Sequence, residues 1–169
     1  MSHHSTPLID FYRGEATDHQ GRYIDAIWAL SPFWLEHTHD YIQWLFPIPE
    51  VGRFNGFAPP LTDIERDAFK DDSALRERQR TSLDVMLSFL GLARDGVTIT
   101  AQPGLNMRDH IWLKAGGHNH LRISRMIRSL AHCHQQALAL ALQEAVVRIG
   151  SEQGIVSDAS IQYWLSAHQ

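Results

Sequence analysis

The sequence predicts an all-α fold, a single compact domain of about six or seven helices with one proline-rich loop. Two observations support this prediction. Apolar residues recur at helical spacing through most of the chain, and proline, glycine and capping residues stand at the ends of these segments. The chain has 169 residues, of which 44% are hydrophobic and 20% are charged. That balance is typical of a globular domain that buries a sizeable core.

Composition and motifs exclude several classes of protein. The net charge of −4 argues against a protein that coats nucleic acid. Cys133 is the only cysteine, so no intrachain disulfide can form and a reducing compartment is expected. We find no signal peptide and no apolar run long enough to span a membrane, so we expect a cytoplasmic protein. No phosphate-binding glycine loop, nucleophile elbow or Cys-x-x-Cys motif is present, and we predict no cofactor.

The first third of the chain contains a segment without helical periodicity and a segment with a clear predicted helix. Residues 1–17 show little periodicity and are predicted to be an N-terminal leader, so that the helical domain covers residues 18–169. A short helix is predicted next. The helix after it, called the central helix here, begins at Pro32 behind a serine N-cap and ends at Pro47, which cannot continue a helix. Residues 47–61 hold four prolines and two glycines and are predicted to form a loop.

The remaining elements follow from capping residues and apolar stripes. Thr62 and Glu65 form a capping-box pattern that opens a short helix, and a longer helix from Ser73 runs to a glycine stop. Residues 93–117 are predicted to be irregular, because a possible strand there has no evident partner. Three helices complete the prediction, covering about 118–132, about 135–149 and a last segment capped by Ser157.

The central helix carries an unusual polar face, with two carboxylates, an imidazole and an amide but no lysine or arginine. Glu36 and His39 stand one turn apart, the spacing at which a carboxylate and an imidazole can share a metal ion. The alternatives are a polar ligand pocket, or a buried network in which Glu36 and Asp40 pair with arginines of another helix. The arginines that suit this pairing are Arg122 and Arg125.

Two tryptophans of the central helix differ in their expected environment. Trp34 falls on the apolar stripe, whereas Trp44 lies off it. An exposed tryptophan beside a proline-rich loop is a plausible anchor for a peptide, provided that the groove between Trp44 and the loop is open. The alternative is that Trp44 belongs to the core, as most of the five tryptophans should.

Two segments resemble the conserved region of the opioid growth factor receptor family. Residues 35–47, Leu-Glu-His-Thr-His-Asp-Tyr-Ile-Gln-Trp-Leu-Phe-Pro, are similar to its first signature. Residues 118–127, His-Asn-His-Leu-Arg-Ile-Ser-Arg-Met-Ile, are similar to its second. The resemblance extends from about Phe11 to Ala167. Because the chain ends near the end of that region, we expect a short stand-alone member without the repeat-rich tail of the animal receptors.

The resemblance implies a binding protein rather than an enzyme. The family is named for a receptor of the opioid growth factor peptide, Met-enkephalin, and offers no established catalytic residues. We therefore predict a non-enzymatic domain that binds an unidentified peptide or protein. The predicted ligand-binding surface joins the two signature segments and consists of Glu36, His37, His39, Gln43, Trp44, His118, Asn119, Arg122 and Arg125.

Two further functions stay open at this point. One is a metal-dependent enzyme in which a third ligand, such as His118, joins Glu36 and His39. The other is binding of an anion or a nucleic acid by arginines that stand at three-residue spacing on one helix. These arginines are Arg122, Arg125 and Arg128.

Overall fold

The computed structural model describes residues 5–52 and 55–169, and the chain forms two compact units. The first unit comprises the described residues up to Ser82 together with His132–His134, and the second comprises Leu83–Ala131 and Gln135–Gln169. The described ranges contain nine α-helices, two strands and a 3₁₀ turn: α1 (Pro7–Tyr12), α2 (Ile24–Trp28), α3 (Pro32–His37), α4 (Ile42–Leu45), α5 (Asp63–Asp71), α6 (Ser73–Phe89), β1 (Leu92–Asp95), β2 (Thr98–Ala101), the 3₁₀ turn (Ile111–Leu113), α7 (His118–His132), α8 (Gln136–Glu152) and α9 (Asp158–Ser166). The fold is mostly helical as predicted, but it has more helices than expected and it is not strictly all-α.

Helix α1 lies inside the predicted leader, residues 1–17, yet it is part of a core. Thr6 caps the helix by accepting a hydrogen bond from the backbone N–H of Ile9, and a proline occupies the first helical position. The next positions are fully buried apolar or aromatic side chains: Leu8, Ile9, Phe11 and Tyr12. Burial of such side chains contributes about 1.5–3 kcal/mol each, so α1 is anchored in the first unit.

The predicted central helix is two short helices in the structure. Its start is confirmed, because Ser31 Oγ accepts a hydrogen bond from the backbone N–H of Trp34 at 3.4 Å. The helix then ends early: Thr38 adopts extended angles (φ −100°, ψ 128°), and α4 begins only at Ile42. The prediction of one helix up to Pro47 was therefore wrong, and residues beyond Thr38 do not keep the helical phase of those before it.

The predicted proline-rich loop is confirmed in the described part of residues 47–61, which forms no helix or strand. A backbone hydrogen bond of 2.8 Å from Leu61 N to Ile48 O closes its base. Leu61 is buried, and the ring of Phe57 stacks on the ring of His19 with a centroid distance of 4.6 Å. The loop therefore packs back on the first unit. Its residues 53 and 54 lie outside the described part of the chain.

The capping box at the start of α5 is confirmed. Glu65 Oε1 accepts hydrogen bonds from the backbone N–H of Thr62 at 2.9 Å and from its hydroxyl at 2.7 Å. The Glu65 residue is only 5% exposed. The backbone contact satisfies an N–H group at the helix start, and the hydroxyl contact holds the two capping side chains together.

The prediction of an irregular segment at residues 93–117 was wrong at its beginning. Strands β1 and β2 pair in antiparallel fashion, with Leu92 opposite Ala101 and Asp95 opposite Thr98. The turn between them contains Gly96 at φ +61°, in the left-handed region that favours glycine. An Asp-Gly pair before a β-branched residue is a hairpin signal, so the partner strand that sequence analysis did not find is the segment just before that pair.

Helices α7, α8 and α9 carry the core of the second unit, and their predicted starts are confirmed to within a residue. Trp112 and Trp164 are buried there, with ring centroids 6.2 Å apart. Helix α8 continues three residues past its predicted end, through Gly150. A Cβ at that position would lie 2.9 Å from a methyl group of Val156, so the glycine allows close packing inside the helix.

None of the described helices combines the length with the continuous apolar character that crossing a bilayer requires.

Candidate functional site

The nine residues predicted to bind a ligand fall into two groups, one in each unit. The first unit holds Glu36, His37, His39, Gln43 and Trp44. The second unit holds His118, Asn119, Arg122 and Arg125. A joint surface formed by both groups stays a prediction.

Trp44 is a core residue in the structure. It is 5% exposed, and its ring lies against the ring of Phe11 with a centroid distance of 4.9 Å. Its indole Nε1–H donates a hydrogen bond of 3.0 Å to Nδ1 of His19. Of the two interpretations of Trp44, the structure therefore supports the core role and not the exposed anchor beside the loop. The reason is the break at Thr38, which turns α4 away from the phase of α3.

His19 connects Trp44 to a network of charged groups. Because an indole N–H can only donate, Nδ1 of His19 accepts and its Nε2 carries the proton. Nε2 lies 3.1 Å from Asp40 Oδ2 and donates to it. Both ring nitrogens of His19 are thus engaged in orienting their neighbours.

Asp40 forms an ion pair within the first unit. Arg22 NH1 lies 3.0 Å from Asp40 Oδ1, and Arg22 Nε donates a 2.7 Å hydrogen bond to Asp18 Oδ2. The carboxylate of Asp18 has no exposed surface, and it also accepts from the backbone N–H of Arg22. Sequence reasoning missed Arg22 as the partner, because it placed Arg122 or Arg125 opposite Asp40 and no pattern in the sequence brings Arg22 to it.

The remaining predicted residues of the first unit have different environments. Gln43 is 8% exposed, and its amide nitrogen lies 3.3 Å from both the carbonyl oxygen of His39 and Oδ1 of Asn55. Glu36 is half-buried, whereas His37 and His39 are exposed. Because α3 ends between Glu36 and His39, the one-turn spacing of the metal hypothesis does not exist. The described residues contain no group of three His, Cys, Asp or Glu side chains that could hold a metal ion.

The predicted residues of the second unit lie at the start of α7. His118 is exposed, but Asn119 and Arg122 are 3% and 6% exposed, and Arg122 NH1 donates a 3.1 Å hydrogen bond to Asn119 Oδ1. Arg125 and Arg128 are half-buried. A polyanion could not contact all three arginines from solvent, so this geometry does not favour the nucleic-acid alternative.

A small cavity lies beside the same helix start, next to Gly117, His118 and Asn119. Its volume is about 80 Å³, which is the space of two or three water molecules and too small for a typical organic ligand. Behind it, His120 is held at both ring nitrogens, by the Trp112 carbonyl at 2.7 Å and by Ser160 Oγ at 2.6 Å. His120 is therefore a structural residue of this core.

Sequence reasoning missed an exposed group of aromatic rings on α3, which we call the α3 aromatic surface (Phe33, Trp34 and His37). Phe33 and Trp34 are 60% and 55% exposed, and their rings form an edge-to-face pair with centroids 5.2 Å apart. The ring of His37 lies 4.5 Å from that of Phe33. Trp34 was predicted to be buried, which the structure corrects.

The helix that carries the α3 aromatic surface is anchored by a buried side chain and by a hydrogen bond at its end. Leu35 is 3% exposed and points to the opposite side of the helix. Its carbonyl accepts a 2.6 Å hydrogen bond from the hydroxyl of the fully buried Tyr41. A short helix that is capped at its start and tied down at its end presents its rings with little loss of conformational entropy on binding.

Comparison with known proteins gives strong similarities. The model of the opioid growth factor receptor conserved region matches residues 3–169. The opioid growth factor receptor of Homo sapiens is 34% identical over 173 residues, which cover 96% of this chain and 25% of that protein. The opioid growth factor receptor-like protein 1 of Rattus norvegicus is 35% identical over 114 residues, which cover 65% of this chain and 24% of that protein. No solved structure matches.

The extent of these matches decides the family. This chain spans about a quarter of the length of the curated relatives that it matches. The family model covers nearly all of it, including both signature segments. The chain therefore belongs to the opioid growth factor receptor conserved-region family.

Proposed function

We propose that this chain is a non-enzymatic domain that binds a peptide or a segment of another protein through the α3 aromatic surface. The observation that carries the proposal is the pair of exposed rings, Phe33 and Trp34, on a helix that is fixed from below. Exposed aromatic side chains on a rigid support are typical anchors of binding surfaces. Trp34 thus takes the anchoring role that sequence analysis considered for Trp44.

The charge around these rings indicates which ligand fits. Helix α3 itself contains one carboxylate, Glu36, and no lysine or arginine. A cation near an indole or phenyl face gains about 0.5–1 kcal/mol at an exposed site. A ligand that presents a cationic group next to an aromatic side chain would match both the rings and the charge of this segment.

The names of the relatives support a peptide ligand. The matching proteins of Homo sapiens and Mus musculus are named opioid growth factor receptors. Because this chain corresponds to about a quarter of each, the proposal is limited to the capacity of this domain to bind a peptide. Met-enkephalin is one peptide to test, and its relevance to this chain is part of the question.

Calorimetric titration of three peptides tests the proposal. The probes are Met-enkephalin, acetyl-Arg-Phe-Arg-amide and the acidic control acetyl-Glu-Phe-Glu-amide. We expect saturable binding of the basic peptide, weaker binding of the acidic one, and at least a tenfold loss in Trp34→Ala, as for an anchoring aromatic residue. Tyr163→Ala is the matched control, because Tyr163 is 67% exposed on α9 in the second unit.

The control defines the result that would overturn the proposal. Equal affinities of the wild type, Trp34→Ala and Tyr163→Ala for the basic peptide would show that the α3 aromatic surface is not the contact. Saturable binding of Met-enkephalin with the same loss in Trp34→Ala would identify the opioid peptide as a ligand class. The absence of saturable binding by all three peptides would reject peptide binding by this domain.

A further inference from the structure

The first unit contains an open cleft that is unrelated to the predicted ligand surface. We call it the arginine cleft, and it is lined by Arg13, Gly14, Tyr23, Asp25, Trp28 and Arg78. Its volume is about 450 Å³. Clefts that bind small organic molecules usually measure about 300–1,000 Å³, so the arginine cleft is large enough for a compact ligand. The residues that line it come from three separate parts of the chain.

Arg78 lines the cleft and is held in place by two contacts. Its Nε–H donates to the backbone carbonyl of Tyr12, and its guanidinium lies 5.1 Å above the ring of Trp28. The indole N–H of Trp28 donates a 2.9 Å hydrogen bond to Ser82 Oγ, so the stacked pair has a defined orientation. Since Nε is engaged, the two terminal nitrogens of Arg78 form the end available to a ligand. Among the described residues no carboxylate forms an ion pair with Arg78.

Arg13 lies beside Arg78 but is already neutralised. Its NH2 group forms an ion pair of 3.2 Å with Asp72 Oδ2, and its side chain is 17% exposed. Burial of Asp72 opposes ionisation, but the hydrogen bonds from Arg13 and from the backbone N–H of Ala74 outweigh it and lower the pKa of Asp72. Asp72 is thus ionised at neutral pH, and it keeps Arg13 at the edge of the cleft.

Gly14 makes room for this arrangement. It has φ +79°, and a Cβ at this position would lie 3.1 Å from NH2 of Arg78. The glycine lets the chain turn after α1 without displacing the guanidinium. Tyr23, which is 49% exposed, and the exposed Asp25 also line the cleft.

We propose that the arginine cleft binds a small organic acid. The carboxylate or phosphate group of this ligand contacts Arg78, and the flat apolar body to which the group is attached packs on Tyr23. A guanidinium whose terminal nitrogens are available matches the two oxygens of an oxyanion. Trp28 and Tyr23 supply aromatic surface for the apolar part. This site goes beyond the proposed peptide binding and does not depend on it.

The charge of the lining favours a single negative charge on the ligand. Arg13 is balanced by Asp72, which leaves Arg78 as the attracting group and Asp25 as a repelling one at the rim. We expect a monocarboxylate to bind more tightly than a phosphate dianion of the same size, because the dianion costs more to desolvate and Asp25 repels its second charge, while Arg78 remains the single attracting group.

Nuclear magnetic resonance titrations with three matched probes test the site. The probes are hydrocinnamate, phenyl phosphate and the neutral hydrocinnamyl alcohol. We expect saturable shifts of the Trp28 indole signal with hydrocinnamate, about tenfold weaker binding of phenyl phosphate, and no saturation with the alcohol. Arg78→Gln weakens hydrocinnamate binding at least tenfold. Arg108→Gln, which removes a charge that is 88% exposed in the second unit, leaves binding unchanged.

Two further variants make the outcome decisive. Asp25→Asn removes the repelling charge, and we expect it to reduce the preference for hydrocinnamate over phenyl phosphate to less than threefold. If Arg78→Gln does not fold, Tyr23→Ala replaces it, and a several-fold loss with both acids is expected from the lost apolar contact. Equal binding of acid and alcohol, or equal binding by Arg78→Gln and Arg108→Gln, would refute the proposal. Trp34→Ala binds hydrocinnamate normally, which separates this site from the α3 aromatic surface.

Discussion

Helices α3 and α4 follow each other within one signature segment, yet they have opposite roles. α3 exposes two large aromatic residues, Phe33 at 60% and Trp34 at 55%. α4 is buried along its whole length, and its most exposed residue, Gln43, reaches only 8%. The same residue type, tryptophan, is therefore a surface residue in one helix and a core residue in the next.

The difference comes from the segment between the two helices. In one continuous helix, Trp34 and Trp44 would differ by about 80° in direction, which places Trp34 on the apolar stripe and Trp44 beside it. The extended backbone of Thr38 removes this relation. Tyr41 then fastens the end of α3 through the Leu35 carbonyl. A short break in a helix thus converts one amphipathic stripe into a buried helix and an exposed surface.

The largest expected loss of stability comes from replacing the buried tryptophan, Trp44. Trp44→Ala removes a side chain that packs on Phe11 and donates to His19. Replacement of a buried tryptophan by alanine costs about 3–5 kcal/mol in the free energy of unfolding. Urea denaturation followed by circular dichroism measures the loss. A loss below about 1 kcal/mol would mean that α4 is not part of the core.

A second variant tests the hydrogen bond between Tyr12 and the backbone of α4. The hydroxyl of Tyr12 donates to the carbonyl of Leu45 in α4 at 2.5 Å and lies 3.1 Å from Ser82 Oγ. Tyr12→Phe leaves a buried carbonyl without this donor, and we expect the free energy of unfolding to fall by about 2 kcal/mol. Thermal and urea unfolding at pH 7 measure the change. An unchanged midpoint would show that the hydroxyl does not hold α4.

The same tyrosine predicts a dependence of stability on alkaline pH. Burial is the largest cause that raises the pKa of Tyr12 above the ordinary tyrosine value, and it outweighs the hydrogen bond with Ser82, which acts in the opposite direction. Above about pH 10 the unfolded chain loses this proton while the folded chain keeps it. Stability therefore falls by up to about 1.4 kcal/mol per pH unit in the wild type. The part due to Tyr12 disappears in Tyr12→Phe, so the two curves converge as the pH rises.

A third variant tests the break itself. Tyr41→Phe removes the donor that fastens the last turn of α3, and the expected loss in the free energy of unfolding is about 1 kcal/mol. Amide hydrogen exchange should accelerate in residues 33–38 more than in α4. Uniform acceleration through both helices would show that Tyr41 stabilises the unit as a whole and does not fasten α3 specifically.

The parts of the fold that the sequence predicted well are those with local signals. Helix α7 has an uninterrupted apolar stripe and α5 has a capping box between Thr62 and Glu65, and both formed as expected. The hairpin was missed because strands of four residues are too short for alternation to be read. The signal that could have found it is the Asp95-Gly96 pair, which favours a tight turn between two strands.

The candidate sites were harder to predict, because they depend on contacts between distant residues. Trp44 is buried through His19, which lies 25 positions earlier. The partner of Asp40 is Arg22, and the arginine cleft brings Arg78 beside Arg13 and Trp28. Periodicity along one helix contains no information on such contacts. Exposure of Trp34 follows only once the end of α3 is known.

The smallest expected effect on stability comes from replacing the exposed tryptophan, Trp34. Because 55% of the Trp34 residue remains in contact with solvent, Trp34→Ala should change the free energy of unfolding by no more than about 0.5 kcal/mol. Urea denaturation beside Trp44→Ala measures the contrast between the two tryptophans. A loss comparable with that of Trp44→Ala would show that α3 is a packing element, and the exposed rings would then need no ligand to explain them. A small loss combined with a loss of peptide affinity would separate binding from folding within a single signature segment.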